Sequence, residues 1–259
     1  MSFNGSELLT QKKVYAMSKI LVTIATYNEI ENLPRLVEAI RQNLPDAHLL
    51  VVDDNSPDGT GQWCIEHKSE NPQFDCIIRD GKRGLGTAVL AVMQYAITNE
   101  YDFLINLDAD FSHPPEKLPE LLIAMKTEHI DVAIGSRYVP GGKIEGWPFH
   151  RRLMSRAVNG FARIWLGLPT RDNSGAFRCY RVVTLNRILA QQISQKKIRS
   201  KGYSFFEEIL FLLHRGGAKI AELPITFTDR KFGKSKINLR EAIKAIGTIF
   251  RLGLTRLGL

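Results

Sequence analysis

The sequence predicts an α/β domain with a doubly wound, mostly parallel sheet flanked by helices. Short apolar runs of strand length alternate with segments whose apolar residues recur at helical spacing. Polar or acidic groups directly follow three of the runs, as expected where parallel strands end at one ligand-binding edge. A chain of 259 residues is long enough to bury a full core as one domain.

Five strands are predicted in the first half of the chain. They span residues 20–25, 48–52, about 76–78, 103–107 and 131–135. Helical periodicity follows the first strand and the third strand. The apolar positions of these two helices are Leu33, Leu36, Val37 and Ile40, then Val89, Leu90, Met93 and Ile97.

The most informative loop follows the fourth strand and contains Asp108 and Asp110. Two carboxylates this close repel each other, and a divalent cation relieves the repulsion while leaving sites for water and phosphate. We therefore predict that Mg²⁺ or Mn²⁺ binds here and holds a nucleotide diphosphate. A solvated acidic turn or a helix cap is the alternative interpretation of Asp-x-Asp alone.

Two common nucleotide-binding loops are absent from the sequence. The first strand is followed by Thr26-Tyr27-Asn28-Glu29, where a dinucleotide-binding domain has Gly-x-Gly-x-x-Gly. The later segment Gly81-Lys82-Arg83 lacks the Ser or Thr of a Walker loop. A different mode of nucleotide binding is therefore expected.

The composition narrows the partners and the compartment. A net charge of +8 indicates an anionic partner, and aromatic residues do not interleave with the basic clusters, which disfavours nucleic acid. Three cysteines without Cys-x-x-Cys spacing indicate neither disulfides nor zinc, and fit a reducing compartment. With no apolar signal-peptide core and no apolar stretch of roughly 18 residues, we expect neither export nor a membrane span.

The second half is less regular and is expected to build an acceptor site. A helix is predicted over residues 151–165, and another apolar helix contains Glu207 and Glu208. Because a buried acid is costly without a partner, we expect at least one of these to face the site.

The last predicted helix is amphipathic and begins near Leu239. Its apolar stripe comprises Ile243, Ile246, Phe250, Leu254 and Leu257, beside Arg240, Lys244 and Arg251. It fits an interfacial helix, or one that docks on the protein's own core or on a membrane subunit. We divide the chain into a loose extension (1–18), a main domain (19–236) and this helix (237–259).

Seven motifs in order resemble those of inverting family-2 glycosyltransferases with the GT-A fold, and among these the polyprenyl-phosphate (dolichyl-phosphate) mannose synthases. The match runs from about Lys19 to Lys236. The motifs are Thr26-Tyr27-Asn28-Glu29, Asp53-Asp54-Asn55-Ser56, Lys82-Arg83-Gly84-Leu85-Gly86, Asp108-Ala109-Asp110 with His113-Pro114-Pro115, Gly135-Ser136-Arg137-Tyr138, Asp172-Asn173-Ser174-Gly175-Ala176-Phe177-Arg178, and Pro224-Ile225-Thr226-Phe227 through Lys236.

The resemblance implies a role for each matched position. The nucleoside would be held by Thr26, Tyr27, Glu29, Asp53 and Asp54, with Lys82 and Gly86 near base and ribose. Asp108 and Asp110 would bind the metal. Arg137 and Arg151 would face the acceptor phosphate, and a loop with Arg230, Ser235 and Lys236 would close over it. Asp172 and Glu208 also match acidic positions.

Two residues depart from the pattern. Some relatives have a metal-binding Gln where Ser112 stands, and Phe206 replaces a polar residue.

The implied activity is mannose transfer from GDP-mannose to dolichyl or another polyprenyl phosphate, with inversion, by a peripheral protein at the cytoplasmic face of a membrane. An acceptor phosphate, with a second pKa of about 6, is already anionic at neutral pH and needs no general base. Alternatives are the same reaction with UDP-glucose, a sugar-1-phosphate nucleotidylyltransferase, and a non-catalytic nucleotide-sugar binder.

Overall fold

The computed structural model describes residues 18–126, 130–195, 197–230 and 239–257. The strands within these ranges are β1 (Ile20–Thr26), β2 (His48–Asp53), β3 (Phe74–Ile78), β4 (Phe103–Asp108), β5 (Val132–Ser136), β6 (Lys143–Glu145), β7 (Arg178–Arg181), β8 (Ile220–Pro224) and β9 (Thr226–Thr228). The α-helices are α1 (Leu33–Asn43), α2 (Thr60–Glu70), α3 (Leu85–Thr98), α4 (Leu118–Lys126), α5 (Phe149–Leu166), α6 (Val182–Ser194), α7 (Phe205–Arg215) and α8 (Leu239–Leu257).

The main sheet confirms the predicted architecture. Seven strands lie in the order β3-β2-β1-β4-β7-β5-β8, and β7 alone among them pairs antiparallel with its neighbours. A small second sheet pairs β6 with β9. The sequence pattern did not predict β6 to β9, which are three to five residues long and contain charged residues or proline in place of a continuous apolar run.

Three strands extend one residue further than predicted, and this places the polar residues at their ends. β1 ends at Thr26, β2 at Asp53 and β4 at Asp108. Parallel pairing aligns Thr26 with Asp53, and Ala25 with Asp108. The three strand ends therefore meet at one edge of the sheet, as the sequence predicted.

The core consists of a layer on each face of the sheet. Alternate residues of β1 face opposite layers, so Val22 and Ile24 pack in one hydrophobic cluster and Leu21 packs in the other. The four apolar residues predicted for α1 are all buried.

The C-terminal helix α8 packs against α5 and α7. Ile249 and Leu252 are buried in the core, and the ring of Phe250 stacks on Trp165 with 5.5 Å between centroids. Four apolar side chains of the same helix are 45–63% exposed: Ile243, Ile246, Phe250 and Leu257. The helix therefore docks on the protein's own core with one face and leaves apolar side chains exposed on another. Within the described residues, no helix has the length and hydropathy needed to cross a bilayer.

Candidate active site

A cavity of about 380 Å³ opens where β1, β2 and β4 end; we call it the first cavity. Its lining includes ten of the residues singled out in the sequence: Thr26, Tyr27, Glu29, Asp54, Lys82, Asp108, Asp110, Arg137, Arg151 and Arg230. These residues come from positions up to 204 apart in the chain, and the fold brings them to one space. Lys236 and Ser235, predicted to close over it, lie outside the described residues.

The loops at the strand ends have unusual backbone conformations. Asn28, Asn55 and Phe111 follow β1, β2 and β4, and their φ angles are 56°, 59° and 60°. Left-handed geometry is tolerated by asparagine but is uncommon for a bulky aromatic residue such as Phe111. Such strained positions concentrate at functional sites, and here they lie in the loops after the three strands at whose ends the cavity opens.

One end of the first cavity has the features of a nucleoside site. The ammonium of Lys82 lies over the Tyr27 ring, 4.4 Å from its centroid. Glu29 is buried, and its carboxylate accepts a hydrogen bond from the side chain of Asn32 at 3.0 Å. A fixed carboxylate and an aromatic ring backed by a cation suit a base and a ribose.

Asp54 is paired with an arginine that the sequence analysis missed. The guanidinium of Arg79 forms a salt bridge with Asp54 and donates to the hydroxyl of Thr87 at 2.6 Å. Both ion-pair side chains are 9% exposed. Arg79 immediately follows β3, as Asp54 follows β2. Its place after a predicted strand could therefore have identified it as a residue at the same sheet edge.

Two residues assigned to ligand binding make structural contacts and do not line the first cavity. Asp53 is fully buried outside the lining, where it accepts hydrogen bonds from the hydroxyls of Thr26 at 2.9 Å and Ser56 at 2.5 Å. Gly86 also lies outside the lining: a Cβ there would come within 2.7 Å of the Phe205 Cβ atom. In this structure Asp53 fixes two strand ends and Gly86 permits close helix packing, and their contact with a nucleoside stays a prediction.

The two acids at the end of β4 differ in their surroundings. The Asp108 side chain is 33% exposed, whereas that of Asp110 is 5% exposed and forms an ion pair with Arg230 at 2.9 Å. Ser112 donates from its backbone N–H and its hydroxyl to Asp110 Oδ1, at 3.1 and 2.5 Å. Ser112 therefore orients the acid. Desolvation, followed by repulsion from Asp110, raises the pKa of Asp108 despite the neighbouring cations.

His113 orients the same loop and is a neutral ring. Its Nδ1 accepts the backbone N–H of Asp108 at 3.1 Å, so this nitrogen has no proton to share with the Asp108 carboxylate 3.9 Å away. The ring stacks on Phe177 with 5.3 Å between centroids. Burial lowers the pKa of His113, in agreement with this role as an acceptor.

The arginine end of the cavity, as we call the part lined by Arg137 and Arg151, contains the bidentate ion pair between Arg137 and Asp172. The guanidinium donates to Asp172 at 2.7 and 2.6 Å, and the backbone N–H of Arg137 adds a third bond at 2.9 Å. Burial opposes ionisation of Asp172, but the charge and hydrogen bonds of Arg137 outweigh it and hold the pKa below its ordinary value. Asp172 is fully buried and does not line the cavity; its contacts position Arg137, and a direct role at the site stays a prediction.

Arg151 lies in the first turn of α5, beside Arg137. Its guanidinium lies 4.0 Å from the Trp147 ring centroid and forms an ion pair with Asp229 at 3.3 Å. Trp147 is buried and lines the cavity, whereas Phe149 is 79% exposed. The planar forks of Arg137 and Arg151 are suited to a phosphate at this end.

Glu207 and Glu208 are both 2% exposed, and neither lines the first cavity. Glu208 accepts the backbone N–H of Ser200 at 2.7 Å and forms an ion pair with Arg251 at 2.9 Å, so its charge is matched. Glu207 lines a second cavity that adjoins the first. Of the two acids, Glu207 therefore faces the second cavity, and neither faces the first.

The residues present fit a divalent cation of the magnesium type. Among the residues that the structure describes, no group of three or more His, Cys, Asp and Glu side chains is arranged to hold a metal ion by itself. Mg²⁺ keeps several waters and needs only one or two carboxylates when substrate phosphates complete its shell. Asp108 and Asp110 on one cavity wall meet that requirement.

Comparison with known proteins agrees with the fold. Residues 21–189 match the family model described as glycosyl transferase family 2. The chain therefore belongs to glycosyl transferase family 2, an enzyme family with this GT-A type of sheet. An undecaprenyl-phosphate mannosyltransferase of Micrococcus luteus is 42% identical over 91% of this chain and 94% of its own length. A polyprenol monophosphomannose synthase of Mycolicibacterium smegmatis is 41% identical over 87% of this chain and 84% of its own.

Solved structures share the fold at low sequence identity. Glucosyl-3-phosphoglycerate synthase of Mycobacterium tuberculosis, in complex with Mn²⁺, UDP and glucosyl-3-phosphoglycerate, superposes with a TM-score of 0.69. The match has 17% identity and covers 97% of this chain and 86% of that chain. It supports the architecture assigned above and is too remote to assign residues.

Proposed function

We propose that this glycosyltransferase transfers mannose from GDP-mannose to dolichyl or another polyprenyl phosphate, with inversion, using Mg²⁺ or Mn²⁺. The observation that carries the proposal is one cavity lined both by carboxylates, among them Asp108 and Asp110, and by arginines, among them Arg137 and Arg151. The relatives named above, at 41% and 42% identity, are by name mannosyltransferases that use polyprenyl phosphates.

The carboxylate end suits the sugar nucleotide. Tyr27 with Lys82 offers a surface for the base, and Glu29 and Asp54 offer acceptors for hydroxyl and amino groups of the nucleoside. Asp108 and Asp110 would hold the divalent ion. When bound, the ion supplies positive charge that stabilises the departing diphosphate.

The arginine end suits the acceptor phosphate. The phosphate monoester is mostly dianionic at neutral pH, so no side chain has to remove a proton from it. Asp172 fixes the orientation of Arg137, and Asp229 with Trp147 fixes that of Arg151. A phosphate oxygen held there attacks the anomeric carbon as the bond to the diphosphate breaks, which inverts the configuration. Orientation and charge are therefore the main contributions of this end.

We propose that α5 and α8 dock the protein peripherally on the cytoplasmic face of a membrane. The exposed apolar residues of the two helices are Phe149, Leu153, Met154 and Ile164 on α5, and Ile243, Ile246, Phe250 and Leu257 on α8. Lys244 on α8 and Arg156 on α5 add exposed positive charge. An apolar face with basic neighbours fits an anionic lipid surface, and a small membrane subunit covering this face is the alternative.

A flotation assay separates these occupants. We expect the purified chain to float with vesicles that contain anionic phospholipid and no other protein, and the double variant Phe149→Glu with Ile246→Glu to remain in solution. The matched control is Ile65→Glu, an exposed apolar residue on α2. Failure of the wild-type chain to float would contradict direct docking and favour the subunit.

The reaction is tested with radiolabelled donors. Purified enzyme with Mg²⁺ is given GDP-mannose or UDP-glucose together with a polyprenyl phosphate, and label is counted in the lipid fraction. We expect label from GDP-mannose. Label from UDP-glucose alone would overturn the choice of sugar. Pyrophosphate released from a nucleoside triphosphate and a sugar phosphate would instead indicate a nucleotidylyltransferase, and nucleotide-sugar binding without any turnover a non-catalytic binder.

A further inference from the structure

The second cavity, of about 390 Å³, lies beside the first between α5, α7 and α8. The two cavities share lining residues of the arginine end, among them Arg137, Arg151 and Trp147. Met154, Val158 and Ala245 supply apolar walls of the second cavity. It therefore connects the arginine end with the two helices whose apolar side chains are exposed.

Glu207 contributes a carboxyl group to this apolar space. The side chain belongs to the first turn of α7 and is 2% exposed. Its Oε2 atom has no hydrogen-bond partner within the part of the chain that the structure describes. A buried polar atom without a partner is costly, so a ligand in the cavity that Glu207 lines would offset this cost by bonding the oxygen.

The charged surroundings of Glu207 are mixed. The titratable groups that line the second cavity with Glu207 are Arg137 and Tyr203, then His150 and Arg151 on α5, and Glu241 on α8. Arg178 on β7 and Asp172 do not line this cavity, but their charges also affect Glu207. Burial raises the pKa of Glu207 to about 7; Arg178 and Arg137 lower it, and Asp172 raises it. The group therefore changes charge near neutral pH.

We propose that Glu207 binds the acceptor: its protonated carboxyl donates a hydrogen bond to the acceptor phosphate, and its ionisation weakens acceptor binding. The proposal rests on the proposed function and assigns a new residue to the acceptor half of the same site. A neutral carboxyl can donate to a phosphate oxygen, whereas a carboxylate only accepts and repels the anion.

The sign of the pH effect follows from linkage. A bound phosphate stabilises the protonated form of Glu207, so acceptor affinity is highest below the pKa of this group and falls as pH rises through about 7. The second ionisation of the phosphate itself, at about pH 6, is nearly complete by then. Between pH 7 and 8.5 the KM for the acceptor should rise about tenfold, while kcat at saturating acceptor and the KM for the donor stay nearly constant.

The experiment compares wild-type enzyme, Glu207→Gln and the control Glu70→Gln with a short-chain polyprenyl phosphate from pH 6.5 to 8.5. Glu70 is exposed at the end of α2, and its substitution is the same change of a carboxyl to an amide. We expect the rise in acceptor KM for the wild type and the control, and a flat, low KM for Glu207→Gln, whose amide still donates.

Two results would overturn the proposal. One is the same pH dependence in the wild type and in Glu207→Gln. The other is a raised acceptor KM for Glu207→Gln at every pH, which would indicate damage to the cavity. A wild-type enzyme that glycosylates no polyprenyl phosphate would instead refute the proposed function, and this inference with it, so the two failures are distinguishable.

Discussion

The two ends of the first cavity are built in different ways. At the carboxylate end, strand ends in parallel register place Thr26, Asp54 and Asp108 side by side. At the arginine end, ion pairs between segments distant in sequence hold Arg137 on Asp172 and Arg151 on Asp229. Sheet register positions the first end, where the ion pairs of Asp54 with Arg79 and of Asp110 with Arg230 add to it, whereas side-chain pairs position the arginines of the second. Substitutions should therefore act on donor chemistry at one end and on acceptor binding at the other.

The largest effect is expected from the acids at the end of β4. Asp110→Asn should lower kcat by about 10²–10³, because the site loses charge needed to stabilise the leaving diphosphate. The measurement is steady-state transfer at saturating Mn²⁺ with both substrates varied. Asp46→Asn, an exposed residue before β2, is the control and should be unchanged. An Asp110→Asn variant with normal turnover would remove the carboxylate end from the chemistry.

Glu207 should have the next largest effect, on stability. The unfolded chain ionises this carboxyl near 4.5 and the native state near 7, so stability falls as pH rises between these values. Glu207→Gln should therefore be more stable than wild type by about 3 kcal/mol at pH 8, and equal to it near pH 4. Urea unfolding at the two pH values measures the difference. Equal stability at pH 8 would mean that Glu207 is not held protonated in the native state.

Gly86→Ala tests whether Gly86 serves helix packing or contacts the donor at the carboxylate end. The added methyl would meet Phe205 and the carbonyl oxygen of Ser200, so it should lower the free energy of unfolding by about 2 kcal/mol. The KM for the donor should change less than twofold. Thermal unfolding and donor kinetics on the same preparation provide the two readouts, and a large donor KM with normal stability would restore the ligand role.

The smallest change is Arg137→Lys, which keeps the charge and loses the planar fork. We expect an acceptor KM raised about tenfold, equivalent to about 1.4 kcal/mol, with the donor KM unchanged. Arg156→Lys is the control, because Arg156 is exposed on α5 and lines neither of the two cavities. If donor and acceptor constants rose together, the division of the cavity into two ends would be wrong.

The sequence predicted the carboxylate end better than the arginine end. Polar residues that end β1, β2 and β4 must meet at one edge, because parallel strands alternating with helices leave no other arrangement. The sequence pattern could not predict which of the two adjacent acids faces the cavity. Asp54 lines it, whereas Asp53 points inward because it accepts hydrogen bonds from the hydroxyls of Thr26 and Ser56.

At the arginine end, side-chain positions depend on tertiary contacts that the local sequence pattern does not predict. Asp172 and Arg137 are 35 residues apart, and their pairing depends on β7 entering the sheet antiparallel between β4 and β5. The strand is four residues long and contains two arginines, so hydrophobic periodicity gives no signal for it. The different environments of Glu207 and Glu208 likewise depend on α8, which supplies Arg251 to one of them alone.

The location of the metal tests the central claim most directly. A crystal grown with GDP and MnCl₂ should show an anomalous manganese peak at Asp108 and Asp110, in contact with the diphosphate and within the first cavity. A peak at another place, or GDP bound away from the ends of β1, β2 and β4, would contradict the assignment of this edge as the donor site.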